Sequence, residues 1–111
     1  MTNQEIKRVV VTGLGAVTPI GNNLTEYWQG LIEGKNGIGL ITFFDASQYP
    51  CQIAGEVKDF DPLEYMSKKE ARKMARFSQF AIAASKQALA DANLEIKDSE
   101  AEQIGVMIGT W

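Results

Sequence analysis

Lys68, Lys69, Arg72, Lys73 and Arg76 place five of the chain's eleven basic residues within nine positions. On a helix, Lys69, Arg72, Lys73 and Arg76 stand at i, i+3, i+4 and i+7, and share one face. Like charges on one stripe repel, and only Glu70 offsets them. Two readings follow: a solvated helix face, or a docking site that steers an acidic partner. Cys51 is the single cysteine. A nucleophilic thiolate needs nearby cations, a helix N-terminus or an activating base. Cys51 sits beside Pro50 in a segment that reads as irregular, so a small, partly buried side chain is expected. Glu56, Asp59, Asp61 and Glu64 spread over nine positions around turns. Paired acids do general acid–base work, but this spacing reads as solvated loop charge. The chain has no histidine. That excludes imidazole acid–base catalysis, a Ser-His-Asp triad and His-ligated zinc within these residues.

The elements that would position these groups are written in short-range signals. Val9-Val10-Val11 is continuously β-branched, as in a strand buried on both faces. Gly13 and Gly15 follow in a turn, and Pro19 and Gly21 mark a second one. The Thr12-Gly-Leu-Gly15 turn lacks the G-x-G-x-x-G spacing of a dinucleotide site, and no Gly-Lys-Ser/Thr is present. A structural turn is the better reading. Asn22 or Asn23 is placed to cap a helix from about Leu24 to Glu33. Leu24, Tyr27, Trp28 and Leu31 form its apolar stripe, and Gly34 ends it. Residues 35–61 read as loop with short extended pieces. Asn36-Gly37 and Asp45-Ala-Ser47 give turns, and a short strand is expected near Gly55. Asp61-Pro62 starts a turn or short helix.

Ser67-Lys-Lys-Glu70 fits a capping box, so a helix begins there. Phe77, Phe80, Ala81, Ala84, Ala88 and Leu89 keep one apolar face to about Ala92. The pattern admits both a helix continuous from Ser67 and one broken between Arg72 and Ala75. Ile104-Gly-Val-Met-Ile108 reads as a second buried strand. Strands separated by helices imply parallel pairing with right-handed crossovers.

At 111 residues the chain is one domain or less, with 45% hydrophobic and 23% charged residues. The net charge of −3 argues against a nucleic-acid binder. No apolar run approaches a membrane span, and residues 1–8 lack a signal-peptide pattern. With a lone cysteine, these features suggest a cytoplasmic protein.

Val9-Val-Val-Thr-Gly-Leu-Gly-Ala-Val-Thr-Pro-Ile-Gly-Asn22 resembles the first strand and turn of the β-ketoacyl-acyl-carrier-protein synthase II family, the condensing enzymes of fatty-acid synthesis. Tyr27-Trp28, Gly34-Lys-Asn-Gly-Ile38, Phe44-Asp45 and Ala54-Gly-Glu-Val-Lys-Asp-Phe-Asp61 continue the resemblance in order. Lys69-Glu-Ala-Arg-Lys-Met74, Arg76-Phe-Ser-Gln-Phe80 and Ile104-Gly-Val-Met-Ile-Gly-Thr110 complete it. The overall flavour looks bacterial, and cyanobacterial within that.

The resemblance implies an α/β fold: the N-terminal part of a thiolase-like architecture, a mixed sheet with covering helices, incomplete in this chain. Residues 1–111 would be one partial N-terminal synthase domain of a homodimeric enzyme. The family passes an acyl group from acyl carrier protein to a cysteine. It then condenses that group with malonyl-carrier protein, with two histidines and a lysine assisting. The resemblance places all of these groups beyond Trp111, and Cys51 does not match the catalytic cysteine. No cofactor or metal is implied. In similar synthases the basic segment meets the acidic helix of acyl carrier protein, so Lys69, Arg72 and Lys73, with Lys68 and Arg76 as neighbours, become the expected docking residues.

Three departures stand out. Phe43 replaces a polar or basic residue common in relatives. Ala75 replaces a common aspartate. Trp111 replaces a glycine, and looks like a truncation scar, a frameshift or a divergent remnant. The expectation is a fragment without condensing activity of its own. The alternatives are a non-catalytic carrier-docking module and an unrelated α/β protein. Strands written for burial should also leave apolar surface open here, and favour self-association or rearrangement.

Overall fold

The computed structural model describes residues 4–110; Met1–Asn3 and Trp111 lie outside the described residues. Three helices, α1 (Leu24–Ile32), α2 (Lys68–Ala71) and α3 (Arg76–Asp91), are joined by β1 (Ile38–Leu40), β2 (Ile53–Gly55) and 3-10 turns at Pro62–Glu64 and Ala101–Gln103. The order of helices matches the sequence expectation. The sheet does not.

Local chemistry explains each helix boundary. Asn23 caps α1, its side-chain oxygen accepting from the Glu26 amide. Gly34, at φ 67°, closes it, with the Lys35 amide reaching back to Gly30 O at 2.8 Å. Asn93 does the same for α3 at φ 51°, and Leu94 N donates to Leu89 O at 3.0 Å. Asn tolerates this left-handed geometry better than most residues. The expected turns form through side-chain oxygens: Asn36 accepts from Ile38 N, Asp45 from Ser47 N and Asp61 from Leu63 N.

Among the described residues, the one sheet is an antiparallel pair, with Ile38 opposite Gly55 and Leu40 opposite Ile53. Glu56 extends the pairing with its side chain, accepting from Thr42 N at 2.6 Å and from Thr42 Oγ1 at 2.9 Å. The expected parallel pair is not formed. Neither Val9–Val11 nor Ile104–Ile108 is a strand. Val9 is 94% exposed and Met107 98%. A doubly buried strand needs neighbours on both edges and layers on both faces, and the described residues provide neither to these segments.

Burial is correspondingly thin. The buried hydrophobic residues are Ala46, Val57, Met66 and Ala83. The radius of gyration is 18.4 Å, with extents of 66 × 36 × 26 Å, against about 13 Å for a compact domain of this size. The apolar stripe of α1 is only half covered, since Trp28 and Leu31 remain exposed.

α3 is the organising element. Gly13 and Gly15 lie against its backbone: a Cβ on Gly13 would fall 2.6 Å from Ala92 N, and one on Gly15 would fall 2.9 Å from both Ala84 C and Gln87 Cβ. Contacts under 3.0 Å are sterically prohibitive, so glycine is required for this approach. Asp91 and Gln87 then accept from Leu14 N at 2.9 Å and Ala16 N at 3.0 Å. Gln87 also donates to Asn22 O at 2.7 Å and to the Tyr65 hydroxyl at 2.9 Å. The Gly-Leu-Gly segment forms no turn; it is an extended stretch that packs on α3.

Candidate functional site

The basic segment is built from a very short helix. Ser67 Oγ accepts from the Glu70 amide at 3.2 Å, while the Glu70 carboxylate accepts from Ser67 N and Ser67 Oγ at 2.9 Å each. This reciprocal cap starts α2 as the sequence predicts. The Ser67 amide, then the Ser67 hydroxyl, hold the Glu70 carboxyl below its usual range, with a smaller contribution from Lys86. The only acid inside the cluster is therefore engaged by its own helix cap.

α2 ends at Ala71, and Arg72 is its C-cap. Lys73 N and Met74 N donate to Glu70 O and Ala71 O at 3.0 and 3.3 Å, the tighter i→i+3 pattern of a 3-10 turn. Ala75 is extended, at φ −66° and ψ 156°. The helix is therefore broken, and the stripe of Lys69, Arg72, Lys73 and Arg76 on one continuous face is corrected. Lys69 lies in α2, Arg72 and Lys73 lie in the turn, and Arg76 opens α3.

Lys68, Lys69, Arg72, Lys73 and Arg76 are all exposed. The basic turn is held from both sides: Gln79 Nε2 donates to Ala71 O at 3.0 Å, Lys86 Nζ donates to Tyr65 O, and Met66 is buried just before the cap. Arg76 stands apart. Its Nη2 donates to Val57 O at 2.7 Å, and its guanidinium carbon lies 4.9 Å from the Phe43 ring centre and 5.0 Å from that of Phe80. The i, i+4 spacing of Arg76 and Phe80 on a helix permits their contact, but Phe43 lies 33 positions before Arg76, and the sequence reading missed that it joins them.

The other candidates take structural roles. Cys51 is exposed rather than partly buried, and its thiol donates to Ile53 O at 3.4 Å. Glu56 braces the sheet, Asp61 caps a 3-10 turn, and Asp59 is a turn residue at φ 57°. An open cleft of about 660 Å³ lies beside α1, lined by Asn22, Glu26, Glu33, Lys35, Lys58 and Asp59 among others. Its charges are mixed, and no group of metal-ligating side chains occurs among the described residues. No helix among them is long and apolar enough to cross a membrane.

Comparison with known proteins decides the lineage. Residues 6–111 match the family model "Beta-ketoacyl synthase, N-terminal domain". The chain belongs to the β-ketoacyl synthase family. Among the relatives of this β-ketoacyl synthase chain, the 3-oxoacyl-[acyl-carrier-protein] synthase 2 of Synechocystis is 61% identical over 99% of the chain and 26% of that protein. The Coxiella burnetii protein of the same name is 49% identical over 96% of the chain and 26% of that protein, and the Vibrio harveyi one is 52% identical over 94% and 25%. The chain thus spans about a quarter of the length of the curated relatives it matches. The ishigamide ketosynthase/chain length factor shares the fold at a TM-score of 0.70 and 37% identity, covering 78% of this chain and 21% of that one. The fold class is α/β, the N-terminal part of a thiolase-like fold. These matches remove the unrelated α/β alternative, although the parallel strand pair proposed for the fold is not formed by the described residues.

Proposed function

We propose that these residues, 1–111, form one partial N-terminal domain of a 3-oxoacyl-acyl-carrier-protein synthase, an acyltransferase that condenses an acyl thioester with malonyl-acyl carrier protein in the cytoplasm as a homo-oligomer. The carrying observation is the 61% identity to the Synechocystis synthase across 99% of the chain. Within this domain the basic turn serves acyl carrier protein docking, through Lys68, Lys69, Arg72 and Lys73, with Arg76 at its edge. Exposed cations at Lys68 and Lys69 in α2 and at Arg72 and Lys73 in the turn after it, with the one acid among them committed to a cap, support that role. Such rim charges act mainly on association rate and salt dependence.

The 111 residues alone do not condense substrates. They hold no histidine and one exposed cysteine, so no thiolate–imidazole pair can be assembled from them. Malonyl-dependent carbon–carbon bond formation by the purified 111-residue chain would refute this. Docking is tested by titrating labelled acyl carrier protein into the native-length protein and its Lys69→Glu/Arg72→Glu/Lys73→Glu variant. Equal binding by both at low salt would remove the docking role. A second reading, a non-catalytic carrier-docking module, draws on the local way the turn is held, by its own cap and by the Gln79 contact. Carrier binding by the 111-residue chain at the native protein's affinity would favour it.

A further inference from the structure

Resting on the docking reading above, we infer that Arg76 serves carrier binding as a positioning residue, which orients the Lys69–Lys73 turn, and not as a fifth charge that meets the partner. A cation in the first turn of a helix opposes the positive end of the helix dipole. α3 compensates with nothing local: Ala75 makes no side-chain cap, and its first turn has no acid. Arg76 therefore brings no benefit to α3 as an isolated helix. Its benefit is tertiary. The planar guanidinium meets the Phe43 and Phe80 rings at 4.9 and 5.0 Å, and it donates to Val57 O at 2.7 Å. These partners come from the loop after β1, from α3, and from the segment after β2.

The position of this clamp gives it leverage. The extended residue Ala75 separates Arg76 from the basic turn, and that turn is tied to α3 by Gln79 on Ala71 O. The angle at which α3 leaves the sheet side of the molecule therefore sets where Lys69, Arg72 and Lys73 point. A lysine at 76 would keep the charge but lose the plane that stacks on two rings and the fork that reaches a carbonyl. Phe43 is 63% exposed, so replacing its ring with leucine removes the stacking without hollowing the interior.

The test measures carrier-protein affinity and its salt dependence in the native-length protein for Arg76→Lys, Arg76→Gln, Phe43→Leu and the Arg76→Lys/Phe43→Leu pair, beside Lys69→Gln. Both Arg76 variants are expected to weaken binding about two- to fivefold, the scale of one exposed cation–π contact, with the salt slope of the parent protein. Phe43→Leu should do the same, and the pair should be no weaker than Arg76→Lys alone. Lys69→Gln should instead flatten the salt slope. Parental affinity in Arg76→Lys, with loss only in Arg76→Gln, would overturn the inference in favour of a direct charge contact. So would a flattened slope in Arg76→Gln, or destabilised Arg76 variants that bind the carrier normally. Normal binding by the Lys69/Arg72/Lys73 triple variant would instead remove the docking reading, and this role with it.

Discussion

The segment from Val57 to Asp91 and the pair of apolar segments at Val9–Val11 and Val106–Ile108 face the same problem and meet it differently. The first satisfies its backbone within a few residues, through the Ser67–Glu70 cap, the Asp61 cap and the ladder of α3. Its side chains then reach outward to tether other parts of the chain. The second pair has side chains suited to a sheet interior but no ladder among the described residues, and stays exposed. One region needs only its neighbours in sequence, whereas the other needs neighbours in space. The lesson is that local closure builds the candidate docking turn even where the surrounding layers are thin.

That contrast can be broken at four points, taken from the largest expected effect down. Gly15→Ala drives a methyl into the α3 backbone, and should cost about 1–3 kcal/mol or more, read as a lower urea midpoint. An unchanged midpoint would mean that the opening segment and α3 are not in the contact described. Ser67→Ala removes the cap of α2 and should cost about 1 kcal/mol, with faster amide exchange at Glu70. The same cap carries a pH dependence. Because the Glu70 carboxyl is held below its usual range in the fold, its contribution is present above the ordinary carboxylate range and is lost as pH falls through the lowered value. Amide shifts of Ser67 should follow that titration, and should become insensitive to it in Glu70→Gln.

Ala75→Asp supplies the cap that α3 lacks and should add about 0.5–1 kcal/mol, seen as a raised melting temperature. No gain would show that the bend at 75 is set by tertiary contacts alone. The smallest effect belongs to Val10→Thr. At an exposed position it should stay within about 0.5 kcal/mol in the 111-residue chain. A cost above about 1 kcal/mol in the native-length protein would show that this valine is buried there, and would sharpen the contrast between the two regions.

The same division explains what was legible beforehand. Asn23, Gly34 and the Ser67–Glu70 box announce helix ends because donor and acceptor lie within a turn of each other. β1 went unread, since Ile38–Leu40 has glycine at its centre and its partner strand begins at Ile53. The two apolar segments were read as strands because β propensity describes fit to a neighbour, and that neighbour is not among the described residues. The basic residues are close together in sequence, but their single face presumes an unbroken helix. The pattern from Ser67 onward admits a break between Arg72 and Ala75 as well as an unbroken helix, and the structure takes the break. The expected open apolar surface is present.

The contact between the opening segment and α3 also acts as a measuring device. Leu14 and Ala16, two residues apart on a stretched chain, are about 6.6 Å apart in rise. Asp91 and Gln87, four apart on a helix, are separated by about 6.0 Å. The two repeats agree over one interval and drift apart over several, so a helix can index an extended chain at two rungs and no more. Gly13 and Gly15 add parity to that index. A slip by one residue would press Leu14 and Ala16, each with a Cβ, against a helix backbone that admits none. α3 thereby fixes the phase of the extended segment, and with it the side of the chain on which each preceding valine lies.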